Sequence, residues 1–295
     1  MMNPQKVLHL YLEEEKKNPK LQHEYIVSEK LDGWFTTFAY SMEYGWHLPL
    51  SSAGREIPAF SHMLEHIEKL PTPKTSGMFI AEAYMPGVPF HTQNGIYNRS
   101  KGNYQATDVQ FYIHDFVETG TYSPTIIDKR DALTRYRALN SICLPSEGGK
   151  LNLHKIIEVT NDKDRWYEHF ADIVSQDGEG VVLKQASGIY QPDKRNSSLM
   201  KIKLEDTFDL HCIEMYNTVG DKGNSNLNLM LIDSFGTKVP VRIGKHEDVT
   251  SFRANSSLIL DKVVEIKCMK KNKDGSYREP RFKCIREDKT LREID

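Results

Sequence analysis

Two β-rich runs, residues 25–27 and 34–40, flank the short polar stretch Ser28-Glu29-Lys30-Leu31-Asp32-Gly33. An Asp-Gly pair is typical of a tight turn in which the glycine takes a positive φ, so the stretch predicts a hairpin with Lys30 at its bend. A lysine there projects from the end of a strand and not from its middle. The chain is therefore expected to fold so that Lys30 faces the space that the two strands frame.

A lysine acts as a nucleophile only when its amine is neutral. The ordinary lysine pKa is about 10.4, so burial or neighbouring cations must lower it. Residues 199–204 supply such cations, because a period of two places Lys201 and Lys203 on one face of a strand. Two ammonium groups can lower the pKa of a third lysine nearby and bind a triphosphate; the alternative is a solvated edge strand. The residues predicted to face the core are Met200, Ile202 and Leu204.

The formal charge of the 295-residue chain is −2, so total charge does not indicate binding to nucleic acid. Residues 267–286 nevertheless contain eight Lys or Arg and two acidic residues, a local basic surface. The length suits two modest domains. No apolar run is long enough for a signal peptide or a membrane span, so we expect a cytoplasmic protein. The cysteines lack C-x-x-C spacing, which predicts reduced thiols: Cys143, Cys212, Cys268 and Cys284.

Apolar residues spaced three and four apart predict four helices. The first lies near the N-terminus, the second follows a polar turn at residues 51–58, and the last begins at an Asn161 cap. Their apolar faces are Val7, Leu8, Tyr11 and Leu12; Phe60, Met63, Leu64, Ile67 and Leu70; Leu133, Tyr136, Leu139 and Ile142; and Trp166, Phe170, Ile173 and Val174.

Polar residues interrupt three predicted strands. Alternation places Glu82 on one face of residues 79–84 and His114 on one face of residues 110–116, and Glu179 lies in a turn that feeds a short buried strand. A buried carboxylate is costly unless it has a ligand or a partner, so these residues indicate a site. The neighbours expected on the same faces are Ile80 and Tyr84 for Glu82, and Tyr112 and Phe116 for His114.

The second predicted helix contains His62-Met-Leu-Glu65-His66, an H-x-x-E-H pattern that one class of zinc peptidases uses. Such a site needs a third protein ligand and a substrate cleft. The apolar stripe on the same helix explains its packing without a metal. A zinc peptidase is therefore a remote alternative.

Beyond Asp206 the pattern changes to five short strands separated by turn signals, which fits an OB-type barrel. In the last strand, Phe282 and Cys284 are expected to face inward, and Arg281 and Lys283 outward toward phosphate. The five runs are residues 208–215, 226–233, 238–243, 258–269 and 281–286.

Six segments, taken in chain order, resemble the collinear motifs of ATP-dependent DNA ligases, which are covalent nucleotidyltransferases. The resemblance covers essentially the whole chain, and six motifs in the correct order are far more specific than any one of them. The segments are Lys30-Leu-Asp32-Gly33, Glu82, His114, Glu179-Gly180-Val-Val, Lys201-Ile-Lys203 and Arg286-Glu-Asp288-Lys289.

The resemblance implies an α+β fold: a nucleotidyltransferase (adenylation) domain of antiparallel sheets and helices at residues 1–205, followed by a C-terminal OB-fold β-barrel at residues 206–295. It also implies ATP, with AMP carried covalently on Lys30, and Mg²⁺. The small size, without a further N-terminal DNA-binding region, is similar to compact ligases of phages, viruses and some bacteria. The expected partner is nicked duplex DNA. We expect the protein to act as a monomer and not to bind a membrane.

The resemblance also implies roles for individual residues. Lys30 attacks the α-phosphate of ATP and releases pyrophosphate; AMP then passes to the 5′-phosphate of a nick, and the 3′-hydroxyl displaces it. The other implied roles are Ser28 and Arg195 at the nucleotide, Asp32 beside the nucleophile, Glu82 at the ribose and the metal, His114 stacked on adenine, Glu179 at the nucleotide and the metal, Lys201 and Lys203 at the α-phosphate, and Arg286 and Lys289 at the pyrophosphate.

Three positions depart from the family pattern. Trp34-Phe35-Thr36 follows the lysine motif where many members have an arginine, Ser51-Ser52 replaces a Ser-Arg pair, and Ala81 replaces the glycine before the motif glutamate. The first two move the contacts with the 5′-phosphate of the nick to other cations, for which we predict Arg55 and Arg195. His114 stands for the usual Phe or Tyr, and an imidazole can also stack.

RNA ligases and capping guanylyltransferases share the lysine chemistry, so the lysine motif does not separate them from DNA ligases. Residues 275–282 and the segment after them are similar to the end of the DNA ligase OB domain, which many RNA ligases lack. A capping enzyme would use GTP. An OB protein that only binds nucleic acid would leave Glu82, Glu179 and the lysine pair unexplained. We therefore predict a nick-sealing DNA ligase.

Overall fold

Alternating apolar and polar residues build most of this chain into β-strands, and a few amphipathic segments form helices. The computed structural model describes residues 4–10, 21, 23–98, 105–120, 123–141, 149–220, 223–272 and 274–295. The chain divides into two units, Met1–Lys203 and Leu204–Asp295. The mixture of sheets and helices confirms the predicted α+β class.

The first unit is built mainly of strands. Its α-helices are α1 (Leu64–Ile67), α2 (Phe90–Tyr97), α3 (Ala132–Ser141) and α4 (Lys163–Ser175), and a 3₁₀ helix spans Pro58–Met63. Its strands are β1 (Lys6–His9), β2 (Tyr25–Glu29), β3 (Trp34–Ser41), β4 (Gly45–Trp46), β5 (Leu50–Ser51), β6 (Gly77–Tyr84), β7 (Gln110–Gly120), β8 (Ser123–Ile126), β9 (Leu151–Leu153), β10 (Glu158–Thr160), β11 (Gly180–Gln185) and β12 (Arg195–Lys203).

One sheet of this unit has the strand order β1-β12-β11-β2-β10. Its alternate residues, among them Val27, Leu183 and Met200, pack against Trp166 and Phe170 of α4. Because side chains alternate along a strand, the residues between them point to the opposite face of the sheet. That second face forms one wall of the cavity described below.

The cap of α4 lies one residue beyond the predicted position. Asp162 and not Asn161 is the N-cap, and its side chain accepts a hydrogen bond from the backbone N of Asp164 at 2.9 Å. The predicted apolar face of this helix is confirmed, since Ile173 and Val174 also pack on the core of the first sheet.

The other sheet of this unit has the order β4-β3-β6-β7-β8, with β5 beside β3 and β9 beside β7. Its core is aromatic: the rings of Phe38 and Phe79 stack with centroids 5.0 Å apart. The predicted second helix packs on this core through Phe60, Met63 and Ile67. It does so as a 3₁₀ turn followed by the short α1, not as one α-helix.

The N-terminal prediction of a helix is wrong. Residues 6–9 form β1, which runs parallel to β12 with Leu8 opposite Met200. A short apolar run does not distinguish a helix from a strand, and pairing with β12 decides this case. Four residues that the predictions include lie outside the described residues: Tyr11 and Leu12 of the N-terminal helix, Ile142 of the third helix, and Cys143 among the thiols.

The predicted hairpin around Lys30 is also wrong. β2 and β3 belong to different sheets, so residues 30–33 cross from one sheet to the other. Gly33 is not among the glycines with positive φ. Its lack of a side chain matters for another reason: a Cβ there would lie 2.4 Å from the carbonyl oxygen of Ala83 and 2.9 Å from Cγ of Glu82.

The second unit contains the five strands that the sequence predicts. They form one sheet with the order β15-β14-β13-β16-β19 around a core that includes Leu210, Leu229 and Ile266. The sequence analysis missed α5, which precedes β16, and the strand predicted from residue 258 begins only at Val263. The elements are β13 (Asp206–Val219), β14 (Ser225–Ile232), β15 (Lys238–Arg242), α5 (His246–Ala254), β16 (Val263–Cys268), β17 (Lys270–Lys271), β18 (Tyr277–Arg278) and β19 (Arg281–Ile285).

Two details at the ends of strands differ from the predictions. Leu204, expected in the core, is 40% exposed because β12 ends one residue before it. In β19, Phe282 packs on the core as predicted. Cys284, expected inward, instead has its thiol 3.3 Å from the carboxylate of Glu265, beside a register shift between β16 and β19.

The described thiols Cys212, Cys268 and Cys284 are free, in line with the reduced cysteines expected from their spacing. Among the helices of the described ranges, none is long and apolar enough to cross a membrane.

Candidate active site

A cavity of about 260 Å³ opens in the first unit, lined by residues of both of its sheets. This volume is slightly below the range typical of small-molecule sites, about 300–1,000 Å³. Five of the residues predicted for nucleotide binding line it: Ser28, Lys30, Glu82, His114 and Lys201.

Strand register orders the cavity residues of the first sheet into rows. Lys184 of β11 pairs with Ile26 and with Leu199 across its two neighbours, which makes a mostly apolar row. The next row is Ser28, Val182 and Lys201. Beyond it, Gly180 pairs with Lys203 and accepts a hydrogen bond from the backbone N of Lys30 at 2.7 Å. The cavity wall therefore changes from apolar to strongly cationic along the strands.

Lys30 lies where the chain crosses between the sheets, at the cationic end. Its Nζ donates to Oε2 of Glu179 at 2.5 Å, and the two side chains are 22% and 10% exposed. Gly180, which follows Glu179, has φ +145, and a Cβ there would lie 2.2 Å from the carbonyl oxygen of Ile202. Only glycine lets β11 approach β12 closely at this point, and this approach holds Glu179 beside the lysine.

Glu82 projects from β6 on the opposite wall. Burial raises the pKa of this carboxyl to about 8, although the positive charge of Lys30 opposes the shift. At neutral pH, Glu82 is thus mostly protonated in the free protein and can donate as well as accept a hydrogen bond. As predicted, its strand neighbours Ile80 and Tyr84 share its face, since Phe79, Ala81 and Ala83 pack into the core behind.

His114 lines the cavity and lies at a β-bulge of β7. The pairing with β6 shifts between Ile80 opposite Asp115 and Ala81 opposite Ile113. The expectation that Phe116 shares a face with His114 is therefore wrong. Its ring packs 4.6 Å from Phe79 in the core, because the extra residue reverses the alternation beyond the bulge.

A network of buried ion pairs stabilises this bulge. The guanidinium of Arg135, 2% exposed, makes two hydrogen bonds to the Asp115 carboxylate at 2.8 and 3.0 Å. Lys184 donates to the same carboxylate and to the carbonyl oxygen of His114, both at 3.1 Å. Although burial alone would raise the pKa of Asp115, Lys184 and Arg135 outweigh it and hold that pKa below its usual range.

The charges around His114 fix its protonation state. Burial and then the positive charge of Lys184 lower the pKa of His114 well below its ordinary value. The imidazole is therefore neutral at physiological pH, and a neutral ring can stack on a purine. Lys184 lies opposite Ile26 in the sheet and donates a hydrogen bond to the carbonyl oxygen of His114. The ring of His114 therefore lies at the apolar end of the cavity.

Other predicted residues lie beside the cavity or away from it. Lys203 is 4% exposed and shares the strand face of Lys201, and Asp32 lies in the crossing segment. Arg195 begins β12, and Arg55 follows β5; both are exposed and neither lines the cavity.

The four cations predicted in the second unit all have acidic partners within that unit. Arg286 and Lys289 both contact the buried carboxylate of Asp209, Arg286 at 3.2 Å and Lys289 at 2.5 Å. Lys283 pairs with Glu265 at 2.7 Å, and Arg281 with Glu279 at 2.9 Å.

His62 and His66 of the zinc peptidase pattern lie on the helical segment that packs on the core of the second sheet. In the ranges that the structure covers, no group of three or more His, Cys, Asp or Glu side chains could hold a metal ion. The third protein ligand that this alternative requires is thus missing from the described residues.

The cationic end of the cavity fits a magnesium ion that arrives with a nucleotide. Mg²⁺ is commonly held by one or two carboxylates together with substrate phosphates, not by a protein cage. The acidic side chains here include Glu179, which contacts Lys30, and Glu82, whose carboxyl would have to lose its proton to bind the ion.

Sequence reasoning missed several residues that line the cavity. The N-terminal segment, which was expected to be helical, contributes Val7 of β1 and Gln5 just before that strand. Lys184 ends the predicted buried strand but was not assigned to the site. His154 follows β9, and no motif drew attention to it; the remaining missed residues include Phe35, Tyr136 and Ile156.

A cavity between two sheets with a lysine at one end, followed in the chain by an OB-type sheet, is the arrangement of a nucleotidyltransferase fold. Residues 57–203 match the family model of the ATP-dependent DNA ligase domain. The chain belongs to the family of ATP-dependent DNA ligases. No curated protein sequence matches it.

Solved structures show the same fold at low sequence identity. A Lig E DNA ligase is 15% identical with a TM-score of 0.70, over 97% of this chain and 100% of that chain. The bacteriophage T7 ATP-dependent DNA ligase, solved in complex with ATP, is 16% identical with a TM-score of 0.56, over 96% and 98%. The Chlorella virus DNA ligase-adenylate is 17% identical with a TM-score of 0.50, over 98% and 99%.

Proposed function

We propose that the protein seals 5′-phosphate/3′-hydroxyl nicks in duplex DNA with ATP, through AMP bound to Lys30 and then to the 5′-end of the nick. The observation that carries this proposal is the contact of Lys30 with Glu179 at the cationic end of a cavity whose other end contains Ile26, Leu199 and the neutral ring of His114. A nucleoside triphosphate has the matching polarity, with an aromatic base at one end and phosphates at the other.

In this proposal ATP enters with its base toward Ile26 and its phosphates toward Lys30. The neutral ring of His114 stacks on adenine, and Glu82 bonds a ribose hydroxyl. Lys201 and Lys203, which share a strand face, neutralise the α-phosphate. Ser28 lies between the two ends and contacts the sugar or the first phosphate, while Asp32 orients the segment around the nucleophile.

In the first step, the amine of Lys30 attacks the α-phosphorus: the N–P bond forms, and the bond to pyrophosphate breaks. The amine must lose a proton for this, and the carboxylate of Glu179 is the group in contact that can accept it. Glu179 and Glu82 would hold Mg²⁺, which supplies charge neutralisation at the phosphates. Arg286 and Lys289 of the second unit stabilise the departing pyrophosphate.

The next two steps transfer AMP. The 5′-phosphate of the nick attacks the adenylate, which breaks the N–P bond and returns the lysine amine. The 3′-hydroxyl then attacks the activated 5′-phosphate and releases AMP. Arg55 and Arg195 are the cations we assign to the 5′-phosphate, and Arg281 and Lys283 those we assign to the duplex backbone.

The division of labour follows the two units. We propose that residues 1–205 act as the adenylation domain and residues 206–295 as the OB domain, close to the observed division after Lys203. The proposal also includes a monomer that acts in the cytoplasm.

One experiment tests the reaction and its alternatives. The protein is incubated separately with α-labelled ATP, α-labelled GTP and adenylate-labelled NAD⁺, and covalent label is measured before nicked DNA or nicked RNA is added. We expect label from ATP and its loss on sealing of nicked DNA. Label from GTP would favour a capping enzyme, sealing of RNA alone an RNA ligase, and better labelling by NAD⁺ would contradict the cofactor assignment.

Replacement of the nucleophile separates the steps. Lys30→Ala should remove all label from the protein, because no other amine is expected to reach the α-phosphorus. Sealing of a nick that already carries 5′-AMP should survive at least in part, since that step does not need the lysine to be adenylated. Lys69→Ala, at an exposed lysine outside the cavity, is the control and should label normally. Retained ATP labelling in Lys30→Ala would contradict the assignment.

A further inference from the structure

His154 is a second histidine in the cavity, and the function proposed above does not use it. It follows β9, and its backbone N donates to the carbonyl oxygen of Ile113 at 2.8 Å, next to the bulge of β7. Its ring lies 6.4 Å from those of His114 and Tyr112, measured between centroids. Both histidines line the cavity.

One nitrogen of the His154 ring is unsatisfied. Nε2 is buried and has no hydrogen-bond partner among the described residues. Nδ1 is not among the unsatisfied buried atoms, and the backbone of Glu29 acts on the ring as an acceptor does, by raising its pKa. We therefore assign the proton of the neutral ring to Nδ1. Burial, then Lys184, lowers the pKa of His154 to about 4, so the ring is neutral and Nε2 is a bare acceptor. An unsatisfied buried acceptor is unfavourable, and a hydrogen-bond donor on a ligand would remove that cost.

The position of this acceptor points to the base of the nucleotide. His154 lies beside His114, which Lys184 ties to the apolar row of the cavity. The phosphates belong at the other end, where Lys30 and Lys201 lie. An adenine joined to ribose has one hydrogen-bond donor, its 6-amino group. Inosine and guanosine carry an oxygen at that position, and two acceptors facing each other repel.

We propose that Nε2 of His154 accepts a hydrogen bond from the 6-amino group of adenine and is the residue that selects ATP against 6-oxo purine nucleotides. This role rests on the proposed function, because it requires ATP to occupy the cavity. His114 supplies a stacking surface that any purine can use. His154 supplies the contact that distinguishes one purine from another.

The unmodified protein gives the first test. The rate of covalent labelling, as kcat/KM, is measured with α-labelled ATP, purine riboside triphosphate, which lacks the 6-amino group, and inosine triphosphate. Loss of the donor should lower kcat/KM about 10- to 100-fold, as expected when a buried acceptor is left unpaired. The 6-oxo nucleotide should be worse than purine riboside triphosphate, because it adds repulsion to the missing bond.

Two substitutions test the residue itself. His154→Ala removes the acceptor, so the three nucleotides should label within about threefold of one another. In His154→Gln, the side-chain amide can accept from the 6-amino group or rotate to donate to a 6-oxygen. This variant should therefore retain ATP labelling and gain labelling by inosine triphosphate. A merely structural role would lower all three rates together and leave their ratios unchanged.

His62→Ala is the matched control. Its ring nitrogens are also buried without a hydrogen-bond partner in the described part of the chain, but His62 does not line the cavity. Its nucleotide ratios should equal those of the unmodified protein.

The outcomes separate this inference from the function on which it rests. If the unmodified protein takes no covalent label from ATP, the proposed function fails. If ATP labels it but the ratios survive in His154→Ala, only the role of His154 is overturned. Loss of discrimination against 2′-deoxy-ATP in His154→Ala, with the base ratios unchanged, would likewise contradict the assignment and move the contact to the ribose.

Discussion

At the scale of single residues, the position of Lys30, the proposed nucleophile, depends on the absence of a side chain at Gly33. Gly33 lies against β6, and a Cβ there would approach the Ala83 carbonyl oxygen to 2.4 Å and Cγ of Glu82 to 2.9 Å. The first neighbour is backbone and cannot rotate away. Any larger residue therefore has to move either the crossing segment that carries Lys30 or the side chain of Glu82.

We expect Gly33→Ala to lower the free energy of unfolding by about 1–3 kcal/mol, as overpacking does. It should also slow covalent labelling by ATP roughly 100-fold, because a displacement of about 1 Å can cost that much. Denaturant unfolding and single-turnover labelling measure the two effects. The matched control is Gly95→Ala within α2, where an added Cβ meets nothing within 4 Å. It should leave labelling unchanged, and equal effects of both variants would show that close approach is not the cause.

From the sequence alone, we could select charged residues that lie unexpectedly beside apolar strands. Lys30, Glu82 and Glu179 stand out because charged groups beside apolar strands need a reason. His154 could not be found in this way. Its segment, Leu-Asn-Leu-His, is ordinary, and its role depends on the burial of one nitrogen against strands that are distant in the sequence.

At the scale of elements, period-two patterns predicted most strands but not their partners. The apolar alternation of β2 and β3 is the same whether the two strands pair or lie in different sheets. The bulge of β7 shows a second limit of period-two patterns, because one extra residue moves the side chain of Phe116 to the opposite face of the sheet. At the bulge, Asp115 pairs with the buried Arg135 of α3, an interaction that local alternation does not contain.

A buried aspartate in the second unit ties two turns together. Asp233 accepts hydrogen bonds from the backbone N of Phe235 at 3.0 Å and of Thr237 at 2.7 Å, in the turn from β14 to β15. Its other oxygen accepts from Lys271 at 2.9 Å and Tyr277 at 3.0 Å, on β17 and β18. Although burial raises the pKa of Asp233, these bonds outweigh it and lower the pKa to about 2.

This shift predicts how the stability of the second unit depends on pH. A carboxyl with a depressed folded pKa stabilises the fold above its unfolded pKa, here 3.8, and loses that contribution as the pH falls through about 2. We expect Asp233→Asn to lose about 2 kcal/mol at pH 7 and the difference from the unmodified protein to shrink below pH 4. Hydrogen exchange of the Phe235 and Thr237 amides from pH 7 to 3 measures it. Glu287→Gln, at an exposed carboxylate, should show neither effect. A difference that stays constant down to pH 3 would contradict the linkage.

At the scale of the whole molecule, the change of pattern after residue 205 led us to predict a second domain from residue 206, and the chain divides into two units after Lys203. Short strands with turn signals leave few alternatives to a small barrel-like sheet. α5 was missed because its sequence has a weak apolar face, with Phe252 as its buried residue. The roles that we propose for the two units in successive steps depend on Arg and Lys side chains of the second unit. The sequence does not show which acidic groups pair with these side chains.

Those charges lead to a prediction that separates the reaction steps. Arg286 and Lys289 share the carboxylate of Asp209, whereas Arg281 and Lys283 pair elsewhere on the unit. Pyrophosphate leaves only in the first step, so the cations that stabilise it are needed only there. Replacing Arg286 and Lys289 by Ala should strongly depress ATP labelling and leave sealing of pre-adenylated nicks nearly intact. Replacing Arg281 and Lys283 should weaken DNA binding. It should also reduce the slope of the logarithm of the binding constant against the logarithm of the salt concentration, by about one for each phosphate that is no longer neutralised.

The carboxylate of Asp209 requires its own control. It is 5% exposed, and removing both cations would leave it buried without compensation, which costs about 3–5 kcal/mol. Adding Asp209→Asn to Arg286→Ala and Lys289→Ala avoids that cost, and this triple variant should still fail in labelling while it seals pre-adenylated nicks. Asp209→Asn alone keeps both cations and should label normally. If the triple variant and the Arg281 and Lys283 variant impair both steps equally, the cations of the second unit do not act in separate steps, and their proposed division between pyrophosphate release and DNA binding is wrong.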